Sequence, residues 1–373
     1  MTMNVSEQLL RLLVDAGVKQ VFGITGDALN HFVDAIRRQD ELEWITVRHE
    51  ETAAYAAYAQ GHLSGNLGGC AGTVRAGALH LVNGLYNAKR ERAPVLAITG
   101  QVPALERGTS YFQEVDLEKA FSDVCAYQAI IRSPEDAPRV VLRAIKIAQA
   151  HGAVCRVELP ADVAAMDAAG EEFVYAVPRS DARLVPGAGS IAAAVACLDA
   201  GERITILAGE GCRGARTEVL ELAGRLKAPI VHTFRASDVF DHDTPGVVGL
   251  TGLIGCPSGY DAVMKADRLL MLGTDFPYHA FLPHGTETVQ VDTRLENLGN
   301  RTPVKVGVHG DVQATVQLLL PALKERTEDR FRQVMQRSFD DWKAQMHAAA
   351  DPVKEDREPL HPQLFARAIN EQA

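Results

Sequence analysis

Two adjacent carboxylates, Glu50 and Glu51, lie where an apolar strand predicted over 43–47 gives way to an alanine-rich helix predicted over 50–63. A carboxylate in the first turn of a helix is favoured by the helix dipole and stays ionised unless apolar walls desolvate it. The small side chains of 52–59 offer such a wall, so Glu50 is a candidate for proton transfer with a nitrogen heterocycle. The alternative, a helix cap with a solvated Glu51 beside it, stays open.

A glycine pattern between a predicted strand and a predicted helix is the second candidate site. Gly209, Gly211 and Gly214 fit the G-x-G-x-x-G spacing, in which glycines let the backbone approach a pyrophosphate. The direct interpretation is a nicotinamide-dependent dehydrogenase. The next strand, however, ends in Thr233-Phe234-Arg235, without the carboxylate that a ribose needs there. A tight turn that packs the helix on the strand is the alternative.

Two more glycine turns lie in the same half of the chain, at 251–255 and 273–277. Both are at or near strand ends, where an open parallel sheet binds ligands. Asp292 lies at the end of a further strand. Together, the three glycine turns and Asp292 favour an extended dinucleotide-binding site over glycine turns with packing roles alone.

The first half carries three further stretches of interest. The run 72–77 is a strand-to-helix turn, and Gly84 lies within the following helix, where glycine indicates a close contact. The loop at 111–114 combines aromatic and polar side chains. These side chains border a ligand, or alternatively Phe112 anchors the loop on the core. The twelve histidines show no H-E-x-x-H spacing and no G-x-S-x-G occurs, so neither a metal site nor a nucleophile elbow is predicted.

Alternating strands and helices must position these residues. In the first half, the pattern predicts helices at 5–16, 28–36, 50–63, 78–89 and 133–150, and strands at 20–24, 43–47, 69–73, 94–99 and 154–159. The helix from 133 is expected to begin with Ser133 as N-cap and Pro134 at its first position. In the second half, it predicts helices at 190–198, 213–226, 312–323 and 327–348, and strands at 203–208, 229–233, 268–272, 288–291 and 304–308.

Such alternation predicts an α/β protein with two doubly wound parallel-sheet domains. The pattern decays between 160 and 186, which is the expected domain boundary. We place a first domain at 1–178, a second at 184–334, and a helical tail and linker at 335–373.

Composition narrows the function classes. A chain of 373 residues accommodates two globular domains, and a net charge of -10 without any Lys/Arg block argues against nucleic-acid binding. The sequence contains neither an apolar run of membrane-spanning length nor a secretory leader. Six dispersed cysteines without C-x-x-C pairs suggest buried free thiols in the cytoplasm.

Taken together, the motifs resemble the thiamine-diphosphate enzymes of the acetolactate synthase and pyruvate oxidase group, and within it the flavin-containing pyruvate:quinone dehydrogenases most of all. The matching stretches occur in constant order along almost the entire chain: 16–19, 22–27, 48–51, 79–85, 111–114, 250–255 and 272–278.

The resemblance implies a pyrimidine-binding first domain, a Rossmann-like FAD-binding second domain and a homodimer or dimer of dimers with active sites between subunits. It also implies oxidative decarboxylation of pyruvate or a similar 2-oxo acid, with electrons passed through FAD to a quinone or oxygen. Glu50 would hydrogen-bond the aminopyrimidine ring nitrogen, with Phe112 and Gln113 bordering the reacting centre. The implied cofactor-binding residues are Thr25, Gly26, Thr73, Gly77 and Asn83 in the first domain, and Gly209, Gly211, Thr251, Gly252, Leu253, Ile254, Thr274, Asp275, Phe276, Pro277, Tyr278 and Asp292 in the second.

Two departures from the family pattern bear on function. The family's third domain, which holds Mg2+ and the diphosphate, is not part of this sequence, so we expect only the pyrimidine end of the cofactor to bind here. A separately encoded diphosphate-domain subunit could complete the enzyme. Arg75-Ala76-Gly77 stands where the family usually has Gly-Pro-Gly near the pyrimidine. A catalytically degenerate flavoprotein with a structural or regulatory role is therefore the second hypothesis.

Overall fold

The computed structural model describes residues 3–169, 182–351 and 360–372. The chain divides between residues 180 and 181 into two compact units. Each unit contains one six-stranded sheet in which all paired strands run parallel. The prediction of two doubly wound α/β domains is confirmed.

The sheet of the first unit has the order β2-β1-β3-β4-β6-β5. Its strands are β1 (Gln20–Gly23), β2 (Glu43–Thr46), β3 (Gly68–Gly72), β4 (Val95–Gln101), β5 (Tyr127–Ile130) and β6 (Val154–Pro160). Its helices are α1 (Val5–Asp15), α2 (Asn30–Arg37), α3 (Glu50–Ser64), α4 (Ala76–Glu91), α5 (Leu117–Ala120), α6 (Ala137–His151) and α7 (Ala161–Ala165). One core cluster packs α1, α2 and α6 against the sheet, and a second packs α3 and α4.

Small residues determine how closely α3 and α4 pack. A Cβ on Gly84 of α4 would lie 2.7 Å from Cβ of Ala54 and 2.9 Å from the carbonyl oxygen of Glu51, both in α3. The predicted close contact at Gly84 is confirmed. On the other side, a Cβ on Gly68 of β3 would overlap the carbonyl of Ala57. Glycine therefore lets the backbone of α3 lie against both β3 and α4.

The sheet of the second unit has the order β12-β11-β10-β7-β8-β9. Its strands are β7 (Ile204–Ala208), β8 (Ile230–His232), β9 (Val247–Leu250), β10 (Arg268–Leu272), β11 (Glu287–Asp292) and β12 (Val306–His309). Its helices are α8 (Ala188–Asp199), α9 (Arg216–Leu226), α10 (Pro257–Met264), α11 (Val312–Ala322), α12 (Arg330–Ala349) and α13 (Pro362–Gln372). Core clusters again cover both faces of the sheet, and Met335 and Phe339 of α12 belong to one of them.

Three predicted helix starts are wrong, and one of them is that of α12, which begins at Arg330 rather than 327. The helix expected to open at Ser133-Pro134 begins at Ala137, because Asp136 accepts hydrogen bonds from the backbone amides of Arg132 and Ser133 and closes a turn first. The helix expected from 213 begins at Arg216, after a short 3-10 turn at Glu210–Cys212.

The sequence analysis also missed β5 and β9. Strand β5 lies at the edge of its sheet and is only half-buried throughout, which removes the continuous apolar signal of a central strand. Strand β9 is an edge strand of four residues that includes a glycine of positive φ, Gly249.

Part of the predicted boundary, 170–181, lies outside the described residues, as does 352–359 of the predicted linker. Among the described helices, none combines the length and apolarity needed to cross a membrane. All six cysteines are free thiols, and burial raises the pKa of Cys155 and of Cys212 to about 12.

Candidate functional site

The carboxyl edge of the first sheet gathers the predicted site residues of that unit. Thr25 and Gly26 follow β1, Glu50 follows β2, and Thr73 follows β3. The loop with Phe112 follows β4, the next strand in the sheet. Strand order reverses between β1 and β3, which is the switch point where open α/β sheets bind ligands.

Glu50 is the first residue of α3, and His49 is the N-cap. The His49 ring nitrogen Nδ1 accepts a hydrogen bond from the Glu51 amide at 3.3 Å. Only 7% of Glu50 is exposed, whereas Glu51 is half-buried. The solvated alternative does not describe Glu50, which is buried as the sequence predicted, whereas the side chain of Glu51 beside the cap is partly exposed.

His80 of α4 completes a cluster that the sequence analysis did not single out. Its Nδ1 lies 2.9 Å from Oε2 of Glu50, and its ring stacks on that of His49 with centroids 4.3 Å apart. The three side chains offer potential ligand atoms within 4.8 Å of one another. A histidine thirty positions from Glu50 carries no local spacing signal, so only the packing of α3 on α4 reveals the cluster.

Two glycines shape the space beside Glu50. A Cβ on Gly77 would lie 3.1 Å from Oε1 of Glu50 and 3.0 Å from the methyl group of Thr73. A Cβ on Gly26 would lie 2.5 Å from Cβ of Thr73, so the turns after β1 and β3 touch at these residues. Of the two glycines, Gly77 lies directly beside Glu50, so a side chain there would press on its carboxylate.

Two other predicted features lie nearby with different partners. Asn83 donates a hydrogen bond to Oε1 of Glu51 at 2.7 Å. Arg75 is exposed and precedes α4 with a φ of 60°, a left-handed conformation that is strained for an arginine.

The aromatic loop presents its ring to solvent. Phe112 is 74% exposed, so the alternative in which it anchors the loop on the core is wrong. Gln113 follows with a φ of 67°. The loop holds both side chains at the edge of the sheet that carries Glu50.

In the second unit, the glycine pattern has a packing role. A Cβ on Gly209 would overlap the carbonyl of Gly273, and one on Gly211 would lie 2.7 Å from Cα of Gly273. A Cβ on Gly214 would meet nothing within 4 Å, and α9 begins only at Arg216. The turns after β7 and β10 thus lie against each other, which favours a packed glycine turn over the nicotinamide-binding interpretation.

The loop after β9 contains an unsatisfied polar atom. Thr251 is 2% exposed, and its hydroxyl oxygen has no hydrogen-bond partner among the described residues. Gly252, with a φ of 114°, leaves room against the rings of Phe276 and Tyr278. Because an unpaired buried hydroxyl is costly, a ligand that bonds Thr251 would relieve this defect.

The remaining predicted residues of this unit differ in exposure. Thr274 is buried and its hydroxyl accepts from the Phe276 amide at 3.1 Å, while Asp275 is half-buried and Pro277 is exposed. Asp292 is buried at the end of β11. Its two oxygens accept bonds from the Arg294 amide at 2.8 Å and from the Asn297 side chain at 3.0 Å.

Large apolar side chains are exposed along the carboxyl edge of the second sheet. They follow β8 and β9 on one side of the central strand β7 and β10 and β11 on its other side, and are Phe234, Leu253, Ile254, Tyr278 and Leu295. A rim of this kind, close to glycine turns and an unpaired hydroxyl, fits a large planar ligand with polar substituents.

The fold defines an α/β protein of two units, each with a candidate ligand site at the carboxyl edge of its sheet. Similarity to known proteins specifies the family. Residues 3–120 match the thiamine pyrophosphate enzyme N-terminal TPP binding domain, and residues 191–319 match the thiamine pyrophosphate enzyme central domain. The chain therefore belongs to the thiamine pyrophosphate enzyme family, of which it contains these two domains.

Its relatives include proteins with and without a known activity. It is 44% identical over 330 residues to an uncharacterised 42.6 kDa protein of Pseudomonas amyloderamosa, covering 87% of this chain and 82% of that protein. It is 34% identical to the putative thiamine pyrophosphate-containing protein YdaP of Bacillus subtilis, over 98% of this chain and 64% of the relative. It is 29% identical to the pyruvate oxidase of Lactiplantibacillus plantarum, over 97% of this chain. The chain spans 60% of that pyruvate oxidase, less than two thirds of its length.

Proposed function

We propose that this protein forms the pyrimidine- and FAD-binding portion of an oxidoreductase that oxidatively decarboxylates pyruvate or a similar 2-oxo acid. Electrons would pass to a quinone or to oxygen. The observation that carries the proposal is the buried carboxylate of Glu50 beside Gly77, where a Cβ would lie 3.1 Å from its Oε1. The likeness to a pyruvate oxidase over 97% of the chain supports the reaction class.

The residues around Glu50 fit the pyrimidine end of thiamine diphosphate. When bound, thiamine diphosphate supplies the nucleophilic carbon that attacks the carbonyl of a 2-oxo acid. Glu50 would hold a hydrogen bond to the pyrimidine ring nitrogen and move a proton there, since a sheltered carboxylate forms a strong charge-assisted bond. Phe112 would exclude water from the reacting centre, and Gln113 would orient the substrate.

The second unit fits FAD on independent grounds. The unpaired hydroxyl of Thr251 would be satisfied by a polar group of a ligand. The exposed side chains of Leu253, Ile254 and Tyr278 would pack against an apolar part of the same ligand. FAD provides both. Gly252 would let the backbone approach the cofactor, and Thr274 to Tyr278 would line its other side.

Titration calorimetry with thiamine diphosphate and Mg2+ tests the first site. We expect binding by the purified protein and a loss of affinity of about tenfold or more in Glu50→Gln, because the charge-assisted bond is lost. Glu118→Gln, an exposed carboxylate of α5, is the matched control and should bind normally. No binding by the unaltered protein, or equal binding by Glu50→Gln, would refute the assignment.

An absorption spectrum tests the second site. Protein purified with added FAD should retain flavin absorbance after gel filtration. Retained flavin without any heat from thiamine diphosphate would instead support the non-catalytic flavoprotein, which the strained Arg75 next to the cofactor turn favours.

The proposal includes a homodimer through the first unit, or a dimer of such dimers. Exposed Tyr55 of α3 and exposed Leu79 and Tyr86 of α4 support it, since these helices already pack together and leave an apolar outer face. A separate subunit that binds the diphosphate end of the cofactor is a further proposed partner. We also propose that the protein is located in the cytoplasm.

A further inference from the structure

The loop between β4 and α5, residues 102–116, has fixed ends and a tip with one central anchor. At one end, the Ala104 amide donates to both carboxylate oxygens of Asp162 at 3.0 Å. At the other, the Gln101 side chain donates to the Val115 carbonyl at 3.3 Å and to Glu158 at 3.0 Å. The ends of the loop are therefore tied to β4, β6 and α7.

A buried ion pair on β6 lies at the base of the loop. Glu158 of β6 is 1% exposed, and it accepts a hydrogen bond from the equally buried Arg156 at 2.7 Å. Arg107 approaches the other oxygen of Glu158 at 3.6 Å. Since a buried charge is held in place only by such partners, these contacts fix the loop at its base.

The tip is organised around Glu114. Its carboxylate accepts hydrogen bonds from the backbone amides of Gly108, Ser110 at 2.8 Å and Tyr111 at 3.3 Å. These bonds, that of Gly108 foremost, hold the pKa of Glu114 below its ordinary value. The side chain is therefore ionised at neutral pH, and its charge strengthens each bond.

The anchored tip contains two strained backbone positions. Ser110 has a φ of 64° and Gln113 a φ of 67°, in a region that residues other than glycine rarely adopt. Such conformations persist only where the surroundings impose them. Phe112, between the two, is exposed and so contributes no core packing that could hold the loop.

We propose that Glu114 is a positioning residue whose carboxylate, through the amides of Gly108, Ser110 and Tyr111, sets the direction in which Phe112 and Gln113 face the ligand. The inference rests on the proposed function for what the loop faces. The order of the loop itself does not depend on any ligand.

The first test measures the loop in the protein without cofactors, by hydrogen–deuterium exchange of peptides covering 106–115 and by trypsin cleavage after Arg107. In Glu114→Gln we expect exchange and cleavage to be faster by about tenfold, because bonds to a charged acceptor exceed those to a neutral one. Glu118→Gln is the matched control and should behave as the unaltered protein. Glu114→Asp should recover part of the protection, and it replaces Glu114→Gln if the latter does not fold.

The second test measures pyruvate-dependent reduction of ferricyanide by protein loaded with thiamine diphosphate, Mg2+ and FAD and mixed with the diphosphate-domain subunit that the proposed function requires. Glu114→Gln should reduce kcat about tenfold while the affinity for thiamine diphosphate, held by Glu50, stays unchanged. Unchanged loop protection in Glu114→Gln, or unchanged kcat in an active enzyme, overturns the inference. An inactive unaltered protein counts against the proposed function only, since the exchange experiment still decides the role of Glu114.

Discussion

Nδ1 of His80 lies 2.9 Å from Oε2 of Glu50, a bond that joins α4 to the first residue of α3. Because a buried carboxylate needs a partner, His80 holds Glu50 in the protein without cofactor. A heterocycle that binds Glu50 must share this carboxylate with the imidazole, so both residues belong to one site.

The bond between these residues should appear as a coupling energy. In a double-mutant cycle of Glu50→Gln and His80→Ala, we expect a coupling of about 1 kcal/mol, since one partner is buried and the other is half-exposed. Urea unfolding of the four proteins gives the free energies. Additivity within about 0.3 kcal/mol would show that the contact does not contribute.

Alanine should have opposite effects at two helical glycines. Gly84→Ala should destabilise the protein by about 1–3 kcal/mol, because its Cβ would press on Ala54 and on the backbone of Glu51. Gly224 in α9 has open space around it, so Gly224→Ala should stabilise by up to about 1 kcal/mol through helix propensity. Thermal unfolding of both variants measures the difference, and equal shifts would contradict the packing of α3 on α4.

Removing the unpaired hydroxyl of Thr251 should lower the affinity for FAD without lowering the stability of the protein. Thr251→Val keeps the shape of a buried side chain and deletes an oxygen without a partner, so the cofactor-free protein should be unchanged or slightly more stable. FAD affinity should fall about five- to tenfold if the flavin bonds this oxygen. Fluorescence quenching of FAD gives the affinity. A loss of stability without FAD would mean that Thr251 has a structural partner.

Acid should destabilise the second unit through His232. Burial lowers the pKa of His232 below its ordinary 6.5, against the opposing effects of the Thr233 carbonyl and Asp241. Between the lowered and the ordinary pKa the unfolded chain binds more protons, so stability is complete above pH 6.5 and falls as the pH is lowered.

Thermal unfolding from pH 7.5 to pH 5.5 measures this effect. His232→Gln should flatten the profile, whereas His284→Gln, at an exposed position and not among the groups that act on His232, should leave it unaltered. A profile of unchanged slope in His232→Gln would assign the acid sensitivity to other groups.

The sequence by itself determined the two α/β domains, because continuous apolar strands alternate with amphipathic helices and glycine turns at regular intervals. It also placed Glu50 at a helix start and the candidate cofactor residues at strand ends, since the carboxyl ends of parallel strands share one edge. The sequence analysis did not predict the edge strands β5 and β9, because half-buried or short strands lack a continuous apolar pattern.

Only the tertiary structure decided which side chains meet. The bond between His80 and Glu50 depends on how closely α3 and α4 approach; Gly84 predicted a close contact, but no local pattern named α3 as its partner. Gly209 is a second example. The G-x-G-x-x-G spacing is the same in a cofactor motif and in a packed turn, and only the contact of Gly209 with Gly273 indicates the packing role. Local sequence encodes propensity and periodicity, whereas burial and contact between distant residues arise from packing, so a site built from several elements becomes visible only once they are assembled.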